Sequence, residues 1–300
     1  MWKSIFGYSK EKTESDSELE ITLLPPPDNE KYRLPYFVPG SFIFLSTDKI
    51  EGKLKIPLIN GSSFKHEGIY AAVVGQFRVK SDESIIPFFK RKKLIIQPGE
   101  ITRESVLNFG IRSLDYSVPS FYGTYVDVRY VLQVWVECGK NKMSGMTPIY
   151  LLKLDEKPQS VAPSKFDFGI QNILHIEYYL LNPIFDCGSV IIGRIYFSVI
   201  KIRIVQGFIE IRRDEELNTG IVNLKNKATV CRYELLDGVP VRGDYVPIRL
   251  FMPGVKVWPY KNSENVDFKV YYSIRLLFYD EHGKKYVKEL DDKVFRLPIE

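Results

Sequence analysis

Cysteine and histidine are both scarce in this 300-residue sequence, with three of each. Cys138, Cys187 and Cys231 are odd in number and sparse, which fits a reducing compartment better than a disulfide framework. His66, His175 and His282 are equally scattered, and none falls in an HExxH-type spacing, so no sequence pattern points to a histidine-based metal centre. His175 sits in an alternating strand pattern and reads as a structural histidine. Walker A, GxGxxG and GxSxG sequences are missing, which removes the phosphate-cradling loops and the nucleophile elbow of nucleotide and serine chemistry. No cofactor is expected. No apolar run spans a bilayer either: the longest, Val190 to Ile211, is cut by Arg194, Lys201 and Arg203. Met1–Tyr8 lacks the apolar core of a signal peptide. Charge of one sign is not in excess. The net of +5 divides into 20 basic against 17 acidic residues up to position 150 and 22 against 20 after it, too even for a nucleic-acid surface. A soluble, cytosolic chain is expected.

Helical periodicity is lacking too, since no segment holds a 3.6-residue apolar stripe for three turns. What the sequence has is strand grammar, used twice. Ile50-x-Gly52-x-Leu54-x-Ile56 recurs as Ile191-x-Gly193-x-Ile195-x-Phe197. Leu107-Asn-Phe109 recurs as Ile248-Arg-Leu250, and Val128-Arg-Tyr130-Val-Leu132-Gln-Val134 as Val270-Tyr-Tyr272-Ser-Ile274-Arg-Leu276. The offsets are 193−52 = 141, 248−107 = 141 and 270−128 = 142. Any one alternating run arises easily by chance; three in order at one spacing indicate two copies of one all-β domain.

Within the first copy, strands are expected at 19–23, 41–46, 50–57, 69–79, 93–97, 104–109 and 122–137, separated by turns such as Asn60-Gly61 and Pro98-Gly99. The second copy gives 166–170, 173–180, 190–199, 202–212, 227–234, 245–251, 266–279 and 284–296. Short strands at this spacing argue for β-sandwiches. Lys153–Lys165, polar and carrying two prolines, is the expected linker between lobes 18–152 and 166–300, and residues 1–17 are expected to be frayed. Between 190 and 212 the apolar face switches parity, which requires a tight reversal or bulge near 199–201.

Three segments invite a functional reading. Asp186-Cys-Gly-Ser189 resembles the Asp-Thr-Gly-Ser of aspartic proteases, but that chemistry needs a second carboxylate from the other lobe. Leu114-Asp115-Tyr116-Ser117 lacks the glycine, and Asp237-Gly238 lies in the same lobe at the wrong spacing, so a β-turn before the Val190 strand is the expectation. Lys90-Arg91-Lys92-Lys93 is the one dense basic run; it reads as an edge strand or turn with protective lysines, or as a contact with an anionic membrane. Tyr233-Glu234-Leu235-Leu236-Asp237-Gly238-Val239-Pro240 reads as a loop with a turn signal beside two leucines, which are strand-end core residues or an exposed anchor pair.

Longer stretches carry a family resemblance: His66-Glu-Gly-Ile69 with Val74-Gly-Gln76, Pro98-Gly-Glu-Ile101, Ser120 to Tyr130, Asn172-Ile-Leu-His-Ile-Glu-Tyr178, Val190 to Phe197, Tyr233 to Gly243, and Val246 to Phe251. Over about 40–296 the sequence resembles the arrestin-like subunit of retromer, the vacuolar protein sorting 26 family. The related retriever subunit shares the fold, but the Asn172–Tyr178 and Val190–Phe197 matches favour retromer. The resemblance implies an arrestin-like fold of two immunoglobulin-like β-sandwich lobes packed end to end, with no enzymatic activity. It implies that the second lobe binds the retromer α-solenoid subunit (vacuolar protein sorting 35 type) through Tyr233–Gly243, with Leu235 and Leu236 at the apolar contact positions. It further implies capture of cytosolic tails of transmembrane cargo, jointly with a sorting nexin, where the lobes meet. By position that falls on Phe168 and Val287, and the location is cytoplasmic, peripheral on the endosomal membrane. Relative to the family pattern the sequence ends at Glu300, directly after the last strand, so regulation through a polar C-terminal tail is not expected. An orphan arrestin-like or retriever-type adaptor that binds receptors or membrane without the solenoid is the alternative.

Overall fold

A computed structural model describes residues 19–34, 37–112, 114–139, 141–153, 162–182, 184–260, 262 and 266–296. Residues 1–17 and most of the expected linker, 154–161, lie outside the described residues. The chain divides into two compact units: Met1–Arg33 with Phe37–Lys153, and Leu34–Tyr36 with Leu154–Glu300.

The first unit holds β1 (Glu20–Leu23), β2 (Ile43–Leu45), β3 (Ile50–Ile56), β4 (Phe64–His66), β5 (Gly68–Val79), β6 (Ile85–Ile96), β7 (Gly99–Ile101), β8 (Ser105–Ile111), β9 (Phe121–Tyr122), β10 (Val126–Cys138) and β11 (Asn141–Leu152). One sheet runs β1-β3-β8 and the other β2-β11-β10-β5-β6, with β9 on β10 and a small β4-β7 ribbon beside them. Period-2 alternation explains the layering. Ile50, Leu54 and Ile56 of β3 are buried while Lys53 and Lys55 point to water. Ile69, Ala71 and Val73 of β5 stand opposite Val136, Val134 and Leu132 of β10, and all six are fully buried.

The second unit holds β12 (Ser164–Ile170), β13 (Leu174–Leu180), β14 (Ile184–Asp186), β15 (Val190–Ile200), β16 (Ile204–Asn218), β17 (Asn223–Asp237), β18 (Tyr245–Phe251), β19 (Phe268–Asp280) and β20 (Lys285–Arg296). Its sheets run β12-β13-β15-β18 and β14-β20-β19-β16-β17. Position by position, β13-β15-β18 repeats β1-β3-β8, and β14-β20-β19-β16-β17 repeats β2-β11-β10-β5-β6. Even the parallel edge pairing recurs, β2 on β11 and β14 on β20. The middle sequence match needs a correction. Gly52 faces Phe109, whereas Gly193 faces Ile248, so the structural partner of Phe109 is Ile248, two residues before Leu250. A slip of two keeps every side chain on its face, which is why the apolar pattern hid it.

The glycine shared by both copies has the same cause in each. A Cβ on Gly52 would lie 2.7 Å from the Thr22 carbonyl oxygen, and one on Gly193 would strike the Tyr179 carbonyl oxygen of the neighbouring strand. Gly52→Ala and Gly193→Ala are each expected to cost about 1–3 kcal/mol through forced backbone shifts, read as a lowered melting temperature; wild-type stability in either variant would refute the close-approach explanation. The parity switch near 200 also has a structural reason. Ile200 ends β15 in one sheet, Ile204 opens β16 in the other, and the residues between turn the chain, with Lys201 N–H donating to Ile173 O at 2.8 Å. A bulge precedes the turn, where the β13–β15 register shifts between His175 and Ile176 and the Ser198 hydroxyl donates to His175 O.

Candidate interaction site on the second unit

The segment expected as a loop is only partly one. Tyr233–Asp237 form the end of β17, and the chain leaves the sheet at Gly238. The difference comes from a β-bulge: Gly207 of β16 faces Leu236 and Phe208 faces Glu234, leaving Leu235 as the extra residue. Such an extra residue breaks the alternation that sequence reading relies on. Gly207 makes room for Leu236, since a Cβ there would lie 2.9 Å from Leu236 Cγ and 2.9 Å from the Phe278 ring. Leu235 and Leu236 are both half-buried, while Glu234 and Asp237 are exposed. Gly238 has φ +117°, a conformation side chains disfavour, and its N–H donates to Val205 O at 2.7 Å. The turn thus holds Val239 out into solvent, 50% exposed.

This strand end borders a second edge strand. The Tyr233 hydroxyl donates to Phe251 O of β18 at 2.8 Å, and burial pushes the phenol's pKa up. Ile248 and Leu250 of β18 are buried, leaving Tyr245, Pro247, Arg249 and Phe251 outward. Phe251 stands opposite Val190 of β15 and Tyr245 opposite Tyr196, whose rings are 4.9 Å apart. Arg194 lies over the Tyr245 ring at 4.6 Å and over Tyr179 at 5.1 Å. Phe251 (61%), Val241 (67%) and Tyr245 (51%) are more exposed than the two leucines. Val241 falls within the expected Tyr233–Gly243 segment, whereas sequence reading did not single out Tyr245 or Phe251, because the alternation of Tyr245–Phe251 marks two faces without saying which one meets water.

The other candidates are dispersed. Phe168 on β12 turns inward and stacks on Phe278, with centroids 6.3 Å apart. Val287 faces Leu277, the neighbour of Phe278 on the opposite face of β19, and is 47% exposed. The structure therefore does not bring Phe168 and Val287 onto one face. Lys90, Arg91, Lys92 and Lys93 occupy the middle of β6, an edge strand, in the first unit.

None of these places assembles a reactive centre. Among the described residues no group of three His, Cys, Asp or Glu could hold a metal ion. Burial pushes the Cys138 and Cys187 thiols up, and that of Cys231 to about 11, which keeps all three protonated. Asp186 ends β14, and Ser189 donates to its carbonyl through both N–H and hydroxyl, the geometry of a turn. Burial alone lowers the pKa of His66, which therefore stays neutral.

Nor is any helix, among the described residues, long and apolar enough to cross a membrane. The end of β17 and the edge strand β18 meet at a partly exposed apolar corner, with Glu234, Asp237 and Arg249 exposed on the same segments. Comparison with known proteins places the chain in a family. Residues 38–283 match the family model described as vacuolar protein sorting-associated protein 26. The human vacuolar protein sorting-associated protein 26B is 30% identical over 257 residues, covering 85% of this chain and 76% of the human protein. A Danio rerio protein of the same description is 30% identical over 257 residues, 85% of this chain and 78% of its own length. The Schizosaccharomyces pombe vacuolar protein sorting-associated protein 26 is 27% identical over 255 residues, 85% of this chain and 86% of its own length. These relatives are trafficking proteins, and the family has an arrestin-like fold, in keeping with the all-β architecture and its duplicated sheets. By a match spanning most of its length, the chain belongs to the vacuolar protein sorting-associated protein 26 family, with a role in vacuolar protein sorting.

Proposed function

We propose that the chain is a non-catalytic subunit of retromer and docks the complex's α-solenoid subunit through the corner formed by Tyr233–Pro240 and the outer face of β18. Family membership and this apolar corner support the reading together. Tyr233 ties the strand end that carries Leu235, Leu236 and Val239 to β18, on which Tyr245 and Phe251 are exposed, and exposed apolar side chains on two joined edges are unusual on a surface without a partner. A large apolar side chain contributes roughly 1.5–3 kcal/mol on full burial, so the half-buried leucines contribute less than that and the exposed Phe251 more of it. Tyr233 fixes the two edges to each other, giving a preformed surface that orders little on binding.

Through the complex the chain sits peripherally on endosomal membrane. There, jointly with a sorting nexin, it captures the cytosolic tails of transmembrane cargo. Strand addition is the mode that fits: β12 is the edge of its sheet, and an extended tail gains backbone hydrogen bonds there. Phe168, stacked on Phe278, supports β12 from beneath rather than reading the tail. The deciding experiment is calorimetry of this chain against the retromer solenoid subunit of its own organism. Stoichiometric binding is expected. Absence of heat and of co-elution would contradict the reading and leave an orphan arrestin-like or retriever-type adaptor.

A further inference from the structure

Solenoid docking makes no use of the basic run Lys90–Lys93. In the first unit this run occupies the middle of β6, whose one strand neighbour among the described residues is β5. A twelve-residue strand therefore presents one open backbone edge. Strand alternation divides the cations. Lys90 and Lys92 stand opposite Val74 and Ala72 on the outer face of the sheet, and Arg91 and Lys93 stand opposite Val73 and Ala71 on the inner side. Two of the four are held by neighbours. Lys92 Nζ lies 3.8 Å from the Tyr70 ring centroid, 5.0 Å from that of Trp135 and 3.7 Å from Glu137 Oε1. Lys93 donates to Gly110 O of β8 at 3.4 Å. Between the β6 and β8 edges lies an opening of ≈ 290 Å³, lined among others by Lys49, Lys93, Leu94, Asn108 and Phe109.

We propose that the β6 edge accepts an acidic, extended peptide segment, which adds as a strand beside Lys90–Leu94. The side chains of an added strand alternate between the same two faces as those of β6. A run of consecutive carboxylates therefore meets Lys90 and Lys92 on one face and Arg91 and Lys93 on the other, while the backbone satisfies the open edge. A membrane surface is a poorer match, because cations split between two faces, with Lys93 bonded to β8, cannot all reach one headgroup plane. Four cations on the edge also repel a second copy of the same strand, so the edge selects its occupant by repulsion as well as attraction. The opening beside Phe109 accommodates one side chain that follows the acidic run. This site is in the first unit and does not depend on the solenoid reading.

The test is fluorescence anisotropy of the full chain with a labelled peptide of about ten residues carrying a central Asp-Glu-Asp-Glu. Two comparators accompany it: the Asn/Gln counterpart, and the acidic peptide with alternate backbone amides N-methylated. Binding by the acidic peptide should weaken about tenfold or more in either comparator and in Lys90→Glu/Arg91→Glu. Amide hydrogen exchange should slow at 89–94 on binding. If the double variant lowers the melting temperature, Lys90→Gln/Arg91→Gln replaces it. Equal binding of the N-methylated peptide would show attraction by charge alone and overturn strand addition. Lack of peptide binding overturns the proposal too. In that case, binding to phosphatidylcholine vesicles containing phosphatidylserine, lost in the double variant, would assign the run to a membrane, and no vesicle binding would leave the lysines as edge protection.

Discussion

Arg275→Met should destabilise the second unit by about 3 kcal/mol, because it breaks one side of a buried ion triad. Glu210 of β16 is fully buried, with Arg232 of β17 directly opposite on one side and Arg275 of β19 on the other. Arg232 Nε donates to Glu210 Oε1 at 2.6 Å and Arg275 Nε to Oε2 at 2.8 Å. The two arginines differ in exposure, 51% for Arg232 and 16% for Arg275. Removing Arg275 leaves a desolvated carboxylate half-compensated, whereas Arg232→Met, at the edge, should cost about 1 kcal/mol. Burial acts to raise the Glu210 pKa, but the hydrogen bonds from Arg275 and Arg232 outweigh it, and the net shift is downward. The sign follows. The stabilisation from Glu210 is fully present above its unfolded value of 4.5 and is lost as pH falls through its lower folded value. Denaturant melts of Glu210→Gln should therefore show a shallower acid decline than wild type. Equal costs for the two arginines, or parallel acid declines, would contradict this account of the triad.

The second large effect concerns binding. Leu235→Asp/Leu236→Asn should weaken the proposed solenoid complex by about a hundredfold or more, since charge and amide replace apolar anchors that a partner would desolvate. Leu236 also lies over Gly207 against Phe278, so the double variant should lose some stability as well. Val239→Asp separates the two effects. Val239 is half exposed on the turn, so this variant should keep the wild-type melting temperature while still weakening the complex. Unchanged affinity in both variants, each shown to be folded, would return the leucines to a purely internal role and move the interface elsewhere.

Among the strands that sequence reading located, β3 and β13 alternate without interruption, whereas β5 is an almost continuously buried apolar run bounded by turns. The losses have particular causes. β16 runs on to Asn218, past the expected end at 212, because Arg213 and Glu215 occupy core-facing positions and pair at 2.9 Å, so a polar stretch is buried without apolar residues. β6 begins at Ile85 rather than 93, since four consecutive cations break the apolar pattern. β11 went unseen because Gly145 and Pro148 interrupt its strand pattern. Pro148 is tolerated because β2 pairs only with Tyr150–Leu152, leaving an open edge beside it. Strands of two or three residues, such as β4, β7, β9 and β14, are too short to show a period. At the candidate site, the turn after Asp237 was legible from Asp237-Gly238, but the bulge at Leu235 and the outward Tyr245 and Phe251 were not. Which side of an alternating strand faces water depends on the register of its neighbours.

The most direct test of the proposed function is a hydrogen-exchange footprint of this chain with and without the solenoid subunit of its own organism. Protection concentrated in 233–251, the end of β17, the turn and β18, is the predicted result. Protection confined to the first unit, with 233–251 unchanged, would contradict it.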